Sequence, residues 1–445
     1  MIRSIRTIVI GATVIVGLQS PIAMAKEKPK DIQQIRKEMQ QLTKLYQDKI
    51  KELEQRVQDL EDSADDAEEK TDQLAVEVSQ QGNQGAANIF NPGIGVVLNG
   101  KMSTFSPSNY QFSIPGFMPP DEIGPGSNGY ALGESELNLA TNIDDKFYGS
   151  ITLSFGAGAA NVEEAFMQTI AIPHGVSVKF GRFFSNIGYL TRRHTHTDSF
   201  AERPLPYEAF LGGQFGDDGI QFNWVAPTDL FWESGMELYR GDSFPGAGAS
   251  HNGRGVWTAY SHIGGDINDS QSWRAGFSYL NASVDGRQTV IGESFTGKSK
   301  LLIADFVWKW APNGNPFIHN AQIQGEYLSR SENGIFTDIA AMTNPYDANQ
   351  DGWYLQGVYQ FMPQWRVGVR YSKLNADMLP TNFNNTSLDN LGHNPERTSL
   401  MFDWSNSEFS RLRLQYSQDN SNLTKADIWT LQYIASFGAH GAHTF

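Results

Sequence analysis

Cysteine is missing from all 445 residues, which excludes a disulfide scaffold, a cysteine-ligated zinc centre and thiol catalysis. Long apolar runs are missing too. Outside the first 25 positions no stretch of about 20 apolar residues occurs, and only 40% of residues are hydrophobic, so a polytopic helical membrane protein is excluded. Positive charge is scarce: 34 Lys and Arg against 49 Asp and Glu leave a net charge of -15, which opposes non-specific nucleic-acid binding. The chain has no G-x-S-x-G, H-E-x-x-H, P-loop or Rossmann glycine pattern. Ser199 lies beside His196 and Asp198, but neighbours in sequence do not make a triad, and no enzyme is expected. What the chain does hold is 43 glycines and 12% aromatic residues, a composition of β structure with many turns.

Residues 1–25 read as a secretory signal. Arg3 and Arg6 precede an apolar segment from Thr7 to Leu18 that is too short to span a bilayer, and Ala23-Met24-Ala25 supplies the cleavage pattern. Within residues 26–80, Ile50, Leu53, Val57, Leu60, Ala64, Ala67, Thr71, Leu74 and Val78 alternate spacings of three and four. That spacing is a heptad seam of about four repeats. A helix this polar has nowhere to bury its seam alone, so a periplasmic coiled coil and self-association are expected. Residues 81–93 (QGNQGAANIFNPG) read as a linker.

From residue 94 to 445 the period changes to two. Trp365, Val367, Val369 and Tyr371 alternate with Arg366, Gly368, Arg370 and Ser372, and Leu412, Leu414 and Tyr416 with Arg411, Arg413 and Gln415. One face of each segment is apolar and aromatic, the other polar. About 16 such segments fit, near 94–105, 131–141, 145–156, 162–172, 174–182, 218–226, 229–240, 255–264, 271–283, 299–311, 318–330, 352–362, 364–374, 397–405, 408–418 and 426–438. The even connections are short (Asn142-Ile143-Asp144, Pro227-Thr228, Pro363). The odd ones include the long 106–130, 183–217, 331–351 and 375–396. Loops sorted by parity place every long loop at one end of a cylinder, as short periplasmic turns and long external loops do in the outer membrane. The expected fold is therefore all-β: a transmembrane antiparallel barrel, preceded by the helical coiled coil. A barrel of this size leaves an aqueous channel, and no residues remain for a separate plug.

Parity sorts the inward charges. Glu134, Glu136, Glu233 and Glu237 fall on one arc of the wall, and Arg366, Arg370, Arg411 and Arg413 on another, which predicts a transverse field or simply a wet wall. His194-x-His196-x-Asp198 offers imidazole and carboxylate ligands suited to zinc, with His251 and His393 expected at the same external end. No other cofactor is implied. His440 and His443 lie in the tail, and the terminal Phe445 resembles the signal read by the outer-membrane insertion machinery.

The stretch HTHTDSFAERPLPYEAFLGGQFGDDGIQ at 194–221, with GRFFSNIGYL at 181–190, ELYRGDSFPG at 237–246 and DGWYLQGVYQF at 351–361, resembles a family of Gram-negative outer-membrane barrels, similar to the phosphate-selective porins and to proteins labelled zinc-regulated TonB-dependent outer-membrane receptor. The resemblance implies a porin-like barrel whose third external loop enters the lumen. Here that loop is 183–217, and its apolar end (Leu205, Tyr207, Phe210, Leu211) needs burial that the lumen can give. The constriction is expected from Arg192, Arg193, Asp198, Glu202, Arg203, Tyr207, Glu208 and Phe210. The three arginines are offset by nearby acids, so a basic ladder for phosphate is not expected. The main reading is a passive channel for small hydrophilic solutes or ions, embedded in outer-membrane lipid as a homo-oligomer, expected as a trimer through barrel and coiled coil. The alternatives are a zinc-uptake channel or receptor using the external histidines, and a tether reaching toward the cell wall.

Overall fold

A computed structural model describes residues 92–121, 123–156, 159–247 and 255–438, together with four isolated helical positions, Lys37, Lys44, Lys49 and Lys51. The chain divides into two units at Ile89 and Phe90. The signal segment, the heptad seam, the linker up to residue 91, His251 and the tail histidines lie outside the described residues, and Gly93, expected in the linker, begins the first strand.

The second unit is one antiparallel sheet closed on itself. Its strands are β1 (Gly93–Ser106), β2 (Gly129–Leu132), β3 (Ser135–Asn142), β4 (Phe147–Gly156), β5 (Ala159–Thr169), β6 (Val176–Phe184), β7 (Gly216–Val225), β8 (Phe231–Tyr239) and β9 (Val256–Asn268). The ring continues through β10 (Gln271–Gln288), β11 (Ser294–Trp310), β12 (Asn320–Thr337), β13 (Thr343–Met362), β14 (Trp365–Ala376), β15 (Glu396–Ser407), β16 (Ser410–Asn420) and β17 (Ala426–Gly438). Each strand pairs with its sequence neighbours, and β17 returns to β1 from Gly95↔Gly438 to Ser106↔Asp427. Both β2 and β3 pair with β1, so they are two halves of one stave. The 17 strands therefore make 16 staves, the expected number. Closure leaves no edge strand among the described residues.

The wall is built inside out relative to a water-soluble protein. On β17, Trp429, Leu431 and Tyr433 face outward with 51%, 43% and 51% of their surface exposed, whereas Thr430 and Gln432 face inward and are buried. On β14, Val367 and Val369 are outward and Arg370 is inward. Arg287, Arg330, Arg370, Arg397 and Arg413 are among the largest fully buried side chains. An exposed apolar face around a polar interior is stable where hydrocarbon replaces water outside. Aromatic pairs mark both rims of that face. Trp224–Trp232 and Trp365–Trp404 lie near the short turns, and Trp257–Tyr279, Trp353–Tyr371 and Tyr416–Trp429 lie toward the other end.

The long connections 107–128, 185–215 and 377–395 match the expected loops. The stretch 331–351 does not. It is a continuation of β12 and β13, turning only at 338–342. Asn333-Gly334 and Asn344-Pro345 both lie within the paired ladder. Inward-facing Glu332, Phe336 and Tyr346 hold this hairpin. Glu332 pairs with Arg287 at 2.8 Å, and Phe336 and Tyr346 both pack on Phe383. Because Tyr327 pairs with Trp353 at the aromatic rim, the rest of the hairpin projects beyond it.

Part of the interior is filled by apolar side chains. Ile114, Phe117, Met118, Ile187, Leu190, Phe383 and Leu388 from the three long connections meet inward Leu280, Ile303, Leu328 and Leu374 in a single buried apolar cluster.

Candidate functional site

The second of the long connections, 185–215, runs through the barrel. Its neck is closed by the Ser185 N–H donating to the Phe215 carbonyl at 3.0 Å. Near its end Pro204 caps a short helix, α1 (Leu205–Leu211), with Pro206 in the first turn, where a missing N–H costs nothing. Gly212 ends it in the left-handed conformation at φ 62°, the usual role of glycine there; a β-carbon would also stand 2.9 Å from Pro120 Cγ. Every residue of α1 is buried, with Leu205, Tyr207, Phe210 and Leu211 at 0% exposure. The apolar end of the loop is therefore where the sequence required it.

Glu326 on β12 is the main anchor. Its carboxylate accepts the Tyr207 hydroxyl at 2.9 and 3.0 Å, the Tyr354 hydroxyl at 2.5 Å and the Tyr189 N–H at 3.1 Å. The Tyr207 oxygen in turn accepts the Leu190 N–H at 3.1 Å. Ser278 accepts the Gly188 N–H at 3.1 Å, and Lys101 donates to the Ala201 carbonyl at 2.8 Å.

Of the eight charges expected to line a pore, seven contact the loop, and Arg366 pairs with Asp403 on the wall. The loop carries the complementary charges in sequence order. Its first half meets the acidic arc: Glu237 accepts the Asn186 N–H at 3.0 Å and the Ser185 hydroxyl, Glu233 lies 3.9 Å from Arg192, Glu134 accepts from Thr195, and Glu136 pairs with His196 at 2.7 Å. Its second half meets the basic arc: Glu202 pairs with Arg370 at 3.1 Å, Glu208 with Arg397 at 3.3 Å, and the Asp198 carbonyl accepts from Arg413 at 2.8 Å. Arg411 donates to the His196 carbonyl at 2.6 Å. Asp403 on β15, not singled out in the sequence, neutralises Arg366 at 2.6 Å and Arg413 at 2.8 Å. The expected transverse field is thus opposed in part by charged loop residues and in part by Asp403 on the wall. Within the loop, burial opposes the charge on Glu202, yet Arg370 and Arg397 hold its carboxyl below the usual range. Burial pushes Glu208 up to about 7 against the pull of Arg397.

The predicted metal triplet does not form. Asp198 turns away to pair with Arg203 at 2.9 Å and is buried, because four arginines stand on that side of the loop. His393 is elsewhere, bonded to the Asn420 carbonyl at 2.8 Å. His194 and His196 instead meet the wall inside the barrel. Nδ1 of His194 is 3.2 Å from Glu136 Oε2 and 3.4 Å from Glu163 Oε2, and its Nε2 is 3.2 Å from Glu164 Oε2. Burial alone would lower the pKa of His194, but these three carboxylates raise it well above the ordinary value.

Glu163 and Glu164 are adjacent in a strand, where side chains normally alternate sides. Both reach the same imidazole because β5 carries a bulge: Thr152 pairs with Glu164 and Leu153 with Val162, leaving Glu163 as the extra residue. Glu134 enters through a second irregularity, the break at Gly133–Glu134 between β2 and β3. The sequence reading missed Glu163 and Glu164. Two consecutive acids in a membrane-facing strand were the available signal, since regular alternation would have put one of them in lipid.

No protein-family model matches the chain. A protein of Aquifex aeolicus (strain VF5), described as an uncharacterized protein, is 29% identical over 345 residues, covering 71% of this chain and 70% of its own. Among solved structures, the outer membrane channel DcaP of Acinetobacter baumannii is similar at 12% identity, covering 78% of this chain and 97% of that one, with a TM-score of 0.49. The anion-selective porin from Comamonas acidovorans gives 9% identity over 78% of this chain and 99% of that one, also with a TM-score of 0.49.

Proposed function

We propose that this protein is an outer-membrane, porin-like channel for passive diffusion of small hydrophilic solutes or ions, with residues 185–215 as its constriction. The observation that carries the reading is the seating of that loop across the lumen of a closed 16-stave wall, apolar outside and charged inside. A barrel that served only as an anchor would not need five buried arginines on its inner face, since each buried charge is costly unless paired. The loop narrows the path and sets which solutes pass. The heptad seam within 26–80 is proposed as a periplasmic coiled coil that, with the outer face of the barrel, holds a homo-oligomer.

Single-channel recording in a planar bilayer tests this. Purified protein in potassium chloride is expected to give stable ohmic steps, small for a barrel of this size because the lumen is occupied. Silence from protein shown to be folded and inserted would overturn the channel reading.

A further inference from the structure

We propose that Glu136, Glu163 and His194 form a binding site for a divalent transition-metal ion of the zinc type, inside the barrel where the inserted loop crosses β3 and β5. Oε2 of Glu136 and Oε2 of Glu163 both approach Nδ1 of His194, and ligand atoms of Glu136 and His194, with His196, lie within 4.8 Å of one another. Glu136 is only 2% exposed, yet its Oε2 accepts no hydrogen bond; Glu163 Oε2 and His194 Nδ1 are likewise buried without one. Two anionic oxygens aimed at a single ring nitrogen cannot both be satisfied by one proton. Their separations from that nitrogen, 3.2 and 3.4 Å, match the edge of a tetrahedral coordination sphere, about 3.3 Å for ligands held about 2.0–2.1 Å from zinc.

The surroundings orient the ligands as metal sites require. The other ring nitrogen of His194 lies 3.2 Å from Glu164 Oε2. A carboxylate receiving that N–H fixes the tautomer that turns the Nδ1 lone pair toward an ion. The other oxygen of Glu136 is held by His196 Nδ1 at 2.7 Å, which aims Oε2 into the site. Glu134 adds a further carboxylate, grouped with Glu136 and Glu163 within 4.8 Å. Imidazole with carboxylates favours zinc or nickel over the oxygen-only sites of magnesium and calcium. Both irregularities of the nearby wall, the β5 bulge and the β2–β3 break, serve to deliver these acids. The inference does not depend on the channel being open.

The test is calorimetric titration of zinc chloride into the full chain, folded in detergent and stripped of metal, with heat-modifiable gel migration confirming the barrel. One ion per chain is expected. Glu163→Gln, which keeps the side-chain shape, should weaken binding at least tenfold, and His194→Ala should abolish it. Glu164→Gln should weaken it roughly 10–100-fold, as loss of an orienting partner does. Excess calcium should not compete. Absence of saturable zinc binding, or wild-type affinity in folded Glu163→Gln and His194→Ala, would overturn the site. Bilayer recordings on the same metal-free protein keep the two readings apart: steps without zinc binding refute only the site, and zinc binding with silence refutes only the channel.

Discussion

Replacing Tyr207 by phenylalanine removes one oxygen atom and tests whether the inserted loop is held by its polar anchor. The ring is fully buried and keeps its edge contact with Tyr354, with centroids 6.2 Å apart. What goes is a hydroxyl donated to Glu326 at 2.9 and 3.0 Å and the acceptor of the Leu190 N–H at 3.1 Å. A hydrogen bond to a charged group contributes about 1.5–3 kcal/mol, and a buried N–H left unpaired costs about 1–3 kcal/mol. Taking about 3 kcal/mol for the sum, the ratio of seated to unseated loop falls by roughly 150-fold, at 1.4 kcal/mol per factor of ten. Glu326 keeps Tyr354 and the Tyr189 N–H, so the wall should stay intact. The assay pairs limited proteolysis of 185–215 with single-channel recording of the same protein. Cleavage within the loop should appear, and conductance should rise with more flicker between levels. If the variant keeps wild-type conductance and a resistant loop, the polar anchor does not hold the constriction, and apolar packing around Phe210 and Leu211 does.

Three other changes probe different parts. Arg397→Ala strips partners from Glu208 and Asp419, at 3.3 and 2.9 Å; breaking a buried pair costs about 3–5 kcal/mol, read as a lower temperature of barrel unfolding on semi-native gels. Asp217→Ala removes the oxygen that accepts the N–H groups of Gly241, Asp242 and Ser243 at 2.8, 2.9 and 3.2 Å, so protease should cut near 240–247 while the barrel stays folded; an unchanged digestion pattern would refute the assignment. Leu414→Arg puts a charge on the outward face, where 45% of the leucine is exposed; about 2–4 kcal/mol is expected at a bilayer midplane, seen as poor refolding into vesicles, and wild-type refolding would show that this face does not meet lipid.

The alternation of residues 94–438 carried most of the fold. Trp365, Val367 and Val369 against Arg366 and Arg370 put the faces correctly, because strand side chains must alternate and the two solvents differ. The count of 16 staves and the loops at 107–128, 185–215 and 377–395 follow from the same pattern. It failed at 331–351, expected as a long loop; pairing with β11 and inward Glu332 and Phe336 extend the ladder there instead. It failed again at His194-x-His196-x-Asp198. Adjacent ligands in an extended segment cannot show which wall they will meet, and Asp198 was drawn to Arg203 while the histidines met acids from β3 and β5.

What the sequence determined by itself was the wall: its period, its two faces and a strand number near 16, since each of these depends on local geometry repeated along a strand. What only the tertiary structure decided was what the inward charges meet. The loop pairs with both arcs of the lumen, and the bulge at Glu163 and the break at Glu134 bring distant carboxylates to His194. Such meetings join residues 30 to more than 200 positions apart, and no local pattern encodes the closure of the ring that brings them together.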